Sequence, residues 1–145
     1  MEDPQPLLKW SLLGGAVYFL AVSIAHFFAL KYPFLYIYYD LPSTDYQDKI
    51  ISFGMLGWGF FYVAGYSSLK RNSLRSVRYI VFAGLGAIFQ LSFLNAFTDF
   101  SAISAHANVA AYWIQTAVLT AFLGWIAFLY KMSERIAGYN SYGSR

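Results

Sequence analysis

The chain contains no cysteine and little charge. Without cysteine it can hold no disulfide framework, no Cys-ligated zinc or iron–sulfur cluster and no thiol nucleophile. Asp, Glu, Lys and Arg together make up 12% of the 145 residues, about half of the ~25% usual in a soluble domain. Proline is scarce as well. Pro4, Pro6, Pro33 and Pro42 are the full set, so residues 43–145 carry no proline helix breaker. Walker A, G-x-G-x-x-G, H-E-x-x-H and nucleophile-elbow motifs are all missing, and no catalytic residue is assigned. Lipidation boxes, N-x-Ser/Thr acceptors and tandem repeats are absent too. What is present is apolar: 59% hydrophobic and 21% aromatic residues, the reverse of a disordered composition.

The few charges divide the chain into uncharged runs. Four spans follow, at about residues 10–30, 50–69, 79–98 and 109–130, with an outer aromatic loop over 31–49. Each run approaches the ~20 residues that cross a ~30 Å hydrocarbon core. Helix is the expected form, because backbone facing lipid must satisfy its own hydrogen bonds. The reading is therefore an all-α polytopic membrane protein, one antiparallel four-transmembrane-helix bundle. Ser23-Ile24-Ala25 is a passable cleavage site, yet Glu2, Asp3 and the length of the apolar run favour a retained first span over a signal peptide. Lys9, Lys70, Arg71, Arg75, Arg78, Lys131, Arg135 and Arg145 fall on one side of this topology, Lys31 and Lys49 on the other. The positive-inside rule then places both termini in the cytoplasm, in a bacterial inner membrane or an organelle or cell membrane. The basic pI near 9.1 reflects that orientation, and nucleic acid drops out as a partner.

Small residues should carry the helix packing. Gly14, Ala21 and Ala25 form a stripe in the first span, Gly54, Gly57, Ala64 and Ser68 in the second, Ala83 and Ala87 with Gly84 and Gly86 in the third, and Ala117, Ala121 and Gly124 in the fourth. The outer loop, Tyr32-Pro33-Phe34-Leu35-Tyr36-Ile37-Tyr38-Tyr39, is too aromatic to float in water. It reads either as an interfacial anchor or as a lid folded over the bundle. Ser43-Thr44-Asp45 offers an N-cap, so the second helix is expected to start near Tyr46.

Polar residues near the spans are few. His26, Asn95, Asp99, His106 and Asn108 fall in one layer near the outer surface, within reach of Tyr36, Tyr38 and Tyr39 of the loop. Asp40, Asp45 and Asp48 can approach this layer from above. These are the ligand-binding candidates, because intramembrane polar groups carry function by default and an apolar pocket with a few polar groups suits a small amphipathic molecule. Gln90 and Gln115 lie deeper and read as interhelical hydrogen bonds. A haem, pigment or metal at His26 and His106 is disfavoured, since neither histidine has ligand-motif spacing and His106 lies close to a loop. No cofactor is expected.

With cytoplasmic ends, a long aromatic first outer loop and polar residues near one bundle end, the plan resembles DoxX-like and EXPERA-type four-span proteins. In the EXPERA-type sterol isomerases and receptors, acidic and His residues in the bundle serve a lipophilic ligand, and the resemblance implies such a ligand here. Those families bury Asp or Glu within spans, whereas none of the four spans above carries one, so no site residue is carried over.

Three functions are compatible with this pattern. The favoured one is an accessory or assembly subunit of a larger membrane complex, because the chain is small and has no extramembrane domain. The second is a binder or enzyme for a quinone, isoprenoid or sterol-like molecule at the outer end. The third is a small oligomeric transporter or channel. The expected partners are the bilayer and either other membrane subunits or further copies of the chain.

Overall fold

The computed structural model describes residues 5–71 and 73–142, with side chains to residue 136. Within them all regular structure is helical: α1 (Gln5–Phe27), α2 (Asp45–Lys70), α3 (Arg75–Phe97), the single turn α4 (Phe100–Ile103) and α5 (Val109–Tyr142). Four helices are long and apolar enough to cross a membrane: α1, α2, α3 and the Val109–Ile136 portion of α5. The build is that of a multi-pass helical membrane protein.

Local chemistry sets the helix ends. Thr44 caps α2 through a capping box: its hydroxyl accepts from the Gln47 N–H, and the Gln47 side chain accepts from the Thr44 N–H. This starts α2 five residues before the uncharged run at Ile50 and draws Asp45 and Asp48 into its first turn, where carboxylates suit the helix dipole. At the other end of the preceding link, α1 closes earlier than expected. Leu30 N–H returns to the Ala25 carbonyl at 2.7 Å and Ala29 takes a left-handed φ of 52°, a Schellman-type stop. Asp99 caps α4 through the Ala102 N–H, and the Asn108 side chain accepts from the Ala111 N–H at the start of α5.

The four long helices pack as a closed ring in the order α1, α2, α3, α5, with the broadest contact between α1 and α2. The apolar core lies at one end of this ring. Leu8, Leu12 and Ala16 of α1 meet Tyr62 and Leu69 of α2, Val77 and Ile80 of α3, and Ile126 and Leu129 of α5. The opposite end buries polar side chains instead: Ser23, His26, Asp48, Ser52, Asn95 and Thr116. Large apolar side chains such as Phe53, Phe60, Phe82 and Phe89 point outward, as helices surrounded by lipid require.

The close approaches are made by glycines other than most of those in the expected stripes. A Cβ at Gly15 would strike the Tyr62 ring, one at Gly59 Leu20, one at Gly65 Ile80 and one at Gly84 Leu123. Gly14, Gly54, Gly57, Gly86 and Gly124 have open space instead, and Ala64, Ala83, Ala87, Ala117 and Ala121 are exposed. Each span carries small residues on more than one face, and periodicity does not say which face turns inward. Gly84, Ala25 and Ser68 are the members of those stripes that are buried.

Candidate functional site

The aromatic loop folds onto the polar end of the ring, and His26 is its main anchor. His26 occupies the last turn of α1 and is fully buried. Its Nε2 accepts the Ile37 backbone N–H at 3.0 Å, which places the proton of the neutral ring on Nδ1. The Tyr36 ring stacks on the imidazole at 3.9 Å between centroids and is itself only 1% exposed. His26 Nδ1 faces Asp48 Oδ1 across 3.7 Å. Both atoms are buried without a hydrogen-bond partner among the described residues. The other carboxylate oxygen, Oδ2, accepts from the Ser43 hydroxyl at 3.1 Å, and Ser43 in turn pairs with the Tyr36 hydroxyl at 2.9 Å. Tyr36, Ser43, Asp48 and His26 thus form one buried polar chain. The Tyr36 phenol is pushed above its ordinary value, first by burial and then by the Asp48 carboxylate.

A second set of contacts pins the next residues. The Tyr38 hydroxyl donates to Asn95 Oδ1 at 2.9 Å, Asn95 Nδ2 donates to the Thr116 hydroxyl, and that hydroxyl donates to the Tyr112 carbonyl. The Tyr112 hydroxyl donates to Asp40 Oδ1, while Asp40 Oδ2 accepts the Asn108 N–H at 2.7 Å. Tyr38 sits at φ 54° and Phe34 at φ 66°, left-handed conformations that bulky residues hold only when their surroundings over-determine them. Here the Asn95 bond and edge-on packing of Tyr38 against Tyr112 do so at one position. The Tyr18 hydroxyl, donating to the Phe34 carbonyl at 2.8 Å, does so at the other. Burial raises the Tyr38 phenol above its ordinary value.

The expected single polar layer is therefore divided. His26, Asn95, Tyr36 and Tyr38 are brought together under the loop, and Tyr39 is half-buried beside them. Asp99 is exposed and serves as the α4 cap; hydrogen bonds from the Ser101 hydroxyl and the Ala102 N–H hold its carboxyl below the usual range. His106 is exposed on the α4–α5 link, and the exposed Asn108 caps α5. The separation has a local cause: residues 98–108 contain their own turn, α4, which lifts Asp99 and His106 away from the ring. Asp40 and Asp48, which the sequence put within reach from above, both enter the network, and Ser43, Thr116 and Tyr112 join it although they were not among the ligand-binding candidates. The available signal for Asp48 was the capping box, which places it one turn inside α2.

Beneath the loop lies an apolar cavity of about 240 Å³, lined by Phe19, Met55, Trp58, Leu91, Leu119 and Phe122, with Ile37 as part of its wall and Gln90 at its edge. On the far side of Ile37 a hollow of about 330 Å³ runs between the loop and α2 to Asp48, past Leu41, Pro42 and Ile51. Ile51, Met55 and Trp58 share one face of α2 at i, i+4 and i+7 spacing. Asp48 and Trp58 are ten residues apart, so the two spaces together follow ~15 Å of helix. Gln90 is exposed, and among the described residues its amide has no hydrogen-bond partner, which departs from the expected interhelical bond. Gln115 is half-buried and lines a small space together with Tyr18 of α1.

Among the described residues no three His, Cys, Asp or Glu side chains gather to hold a metal ion. No protein-family model matches the chain, and no curated protein or solved structure matches it.

Proposed function

We propose that this chain is an integral membrane protein of four antiparallel spans, both termini cytoplasmic, that binds a lipophilic small molecule carrying a polar head. The molecule is of quinone, isoprenoid or sterol-like class. The observation that carries this reading is the pair of spaces meeting at Ile37, apolar along α2 and ending at one buried carboxylate. Each is near the lower end of the ~300–1,000 Å³ typical of ligand pockets, so an elongated molecule spanning both suits them better than a compact one. An unpartnered amide facing hydrocarbon costs several kcal/mol, and a carbonyl or hydroxyl of a ligand beside Gln90 offsets that. The orientation rests on the basic residues of the N-terminus, the α2–α3 link and the C-terminal region.

Trp58 reports directly on the cavity. In a variant keeping Trp58 and replacing Trp10, Trp113 and Trp125 by Phe, a short-chain prenylated benzoquinone is expected to quench fluorescence saturably. Leu119→Trp, with Trp58 kept, narrows the space, and native mass spectrometry should then find less retained quinone than in wild type. Quenching that rises linearly, with equal retention by both proteins, would sink the proposal.

A second reading, membership of a larger membrane complex, is favoured by the open faces at Gly54 and Gly57 of α2. Small residues facing lipid leave room for another helix. Extraction in mild detergent is expected to retain fixed partners that Gly54→Leu/Gly57→Leu loses. Recovery of the same lone chain in both cases counts against it.

A further inference from the structure

At the end of the ring opposite the aromatic loop, a polar cavity of about 480 Å³ opens between the start of α3 and α5, lined by Arg75, Arg78, Tyr79, Phe82, Tyr130 and Glu134. Arg75 and Arg78 stand three residues apart in the first turn of α3 and so project from one face. Among the described residues neither guanidinium is paired with a carboxylate. The carboxylate in the cavity, Glu134, is already occupied: one oxygen accepts from the Tyr130 hydroxyl at 2.9 Å and the other from Lys131 at 2.8 Å. Lys131 holds Glu134 at hydrogen-bond distance, and although the Arg78 charge also acts on that carboxylate, the three cations Arg75, Arg78 and Lys131 outnumber the single carboxylate around this polar space.

We infer that this cavity is a binding site for the phosphate headgroup of an anionic phospholipid, independent of the loop-covered site. A planar guanidinium presents paired N–H donors that match phosphate oxygens, and two of them on adjacent turns hold one phosphate better than scattered surface charges do. The lipid origin follows from what lies beside the charges. The Arg78 guanidinium rests over the Phe82 ring at 5.7 Å, and Phe82 and Tyr79 are exposed on the same membrane-spanning helix. A headgroup seated on Arg75 and Arg78 therefore has its acyl chains against Phe82, one turn further into the span. A soluble phosphate gains nothing from that apolar wall. The neighbouring cations behave differently: Lys70 lies over the Tyr66 ring at 4.8 Å, and neither it nor Arg71 lines the cavity.

The test is lipid retention by the full-length protein, purified after exposure to vesicles of phosphatidylcholine and phosphatidylglycerol and read by native mass spectrometry. Wild type is expected to retain phosphatidylglycerol over phosphatidylcholine. Arg75→Gln/Arg78→Gln should lower that preference roughly tenfold or more, because it removes the charge-assisted hydrogen bonds that seat the phosphate. Lys70→Gln/Arg71→Gln removes the same charge outside the cavity and should leave the preference within about twofold of wild type, since neither side chain lines the cavity and both act on a seated headgroup only through screening solvent. Arg75→Lys/Arg78→Lys, which keeps charge and topology but loses the planar fork, should fall between the two. Circular dichroism confirms that each variant is helical before it is scored. Equal losses from the two Gln double variants would show diffuse attraction and overturn the site. Displacement of the retained lipid by millimolar inorganic phosphate would overturn the lipid assignment.

Discussion

His26 is the residue on which the loop-covered end turns. It supplies the acceptor for the Ile37 N–H, a stacking surface for Tyr36 and a donor facing Asp48. His26→Ala removes all three and leaves a buried amide and carboxylate facing a void, a loss of about 2–3 kcal/mol by the cost of unsatisfied buried groups. Hydrogen exchange should report it first at the loop amides around Ile37, before any change in the helices. Tyr38 gives a test by pH. Its phenol is held above the ordinary value of 10.0 by burial, and its donation to Asn95 requires the protonated form. A raised folded-state value means that this contribution is fully present below about 10 and is lost as pH rises through the folded value. Phenolate absorbance should therefore appear late for Tyr38, together with faster loop exchange, and Tyr38→Phe should already show the loosened loop at neutral pH. Asp48 marks the limit of reading residues by charge alone. Its position between Asp45 and Lys49 puts it within reach of the polar layer but does not tell that it is 4% exposed, which follows because α2 starts at Asp45 and turns position 48 toward His26.

At the scale of the element, the α1–α2 seam depends on two glycines. Gly15 lies against the Tyr62 ring and Gly59 against Leu20, and a larger side chain at either must push helices apart. Gly15→Leu is expected to cost about 3 kcal/mol or more through overpacking, read as a lower denaturation midpoint in a mixed-micelle SDS titration. Gly14→Leu, whose Cβ meets nothing, should stay within about 0.5 kcal/mol of wild type, as surface changes usually do. Helix existence was legible from charge-free runs of about 20 residues, and the start of α2, to within a residue, from the Ser43-Thr44-Asp45 cap signal. The inward face of each helix was not: hydrophobicity surrounds these helices, and lipid and core look alike to a periodicity argument.

The whole molecule is polarised, with an apolar core toward one end and a polar, loop-covered chamber at the other. The proposed topology can be tested without background, since the chain has no cysteine of its own. Ala105 is exposed on the α4–α5 link, and Ser73 lies in the α2–α3 link. In intact cells or right-side-out vesicles, Ala105→Cys should react with an impermeant maleimide, while Ser73→Cys should react only after permeabilisation. The reverse pattern would invert the orientation and place the Arg75–Arg78 cavity in the outer leaflet.

The sequence by itself determined that this chain forms apolar helices of membrane-crossing length, because that conclusion needs only the spacing of charges and the obligation of the backbone to bond to itself in lipid. It also singled out His26, Asn95 and the aromatic loop, because polar groups and clustered tyrosines stand out where so little else is polar. Only the tertiary structure decided which of these meet. Asp99 and His106 left the layer because the α4 turn carries them outward. Asp48 entered it because of helix phase, and Ile37 became the wall between two spaces because a histidine 11 residues earlier accepts its N–H. Those outcomes depend on the rotation and contact of packed helices, for which an evenly apolar sequence provides no local signal.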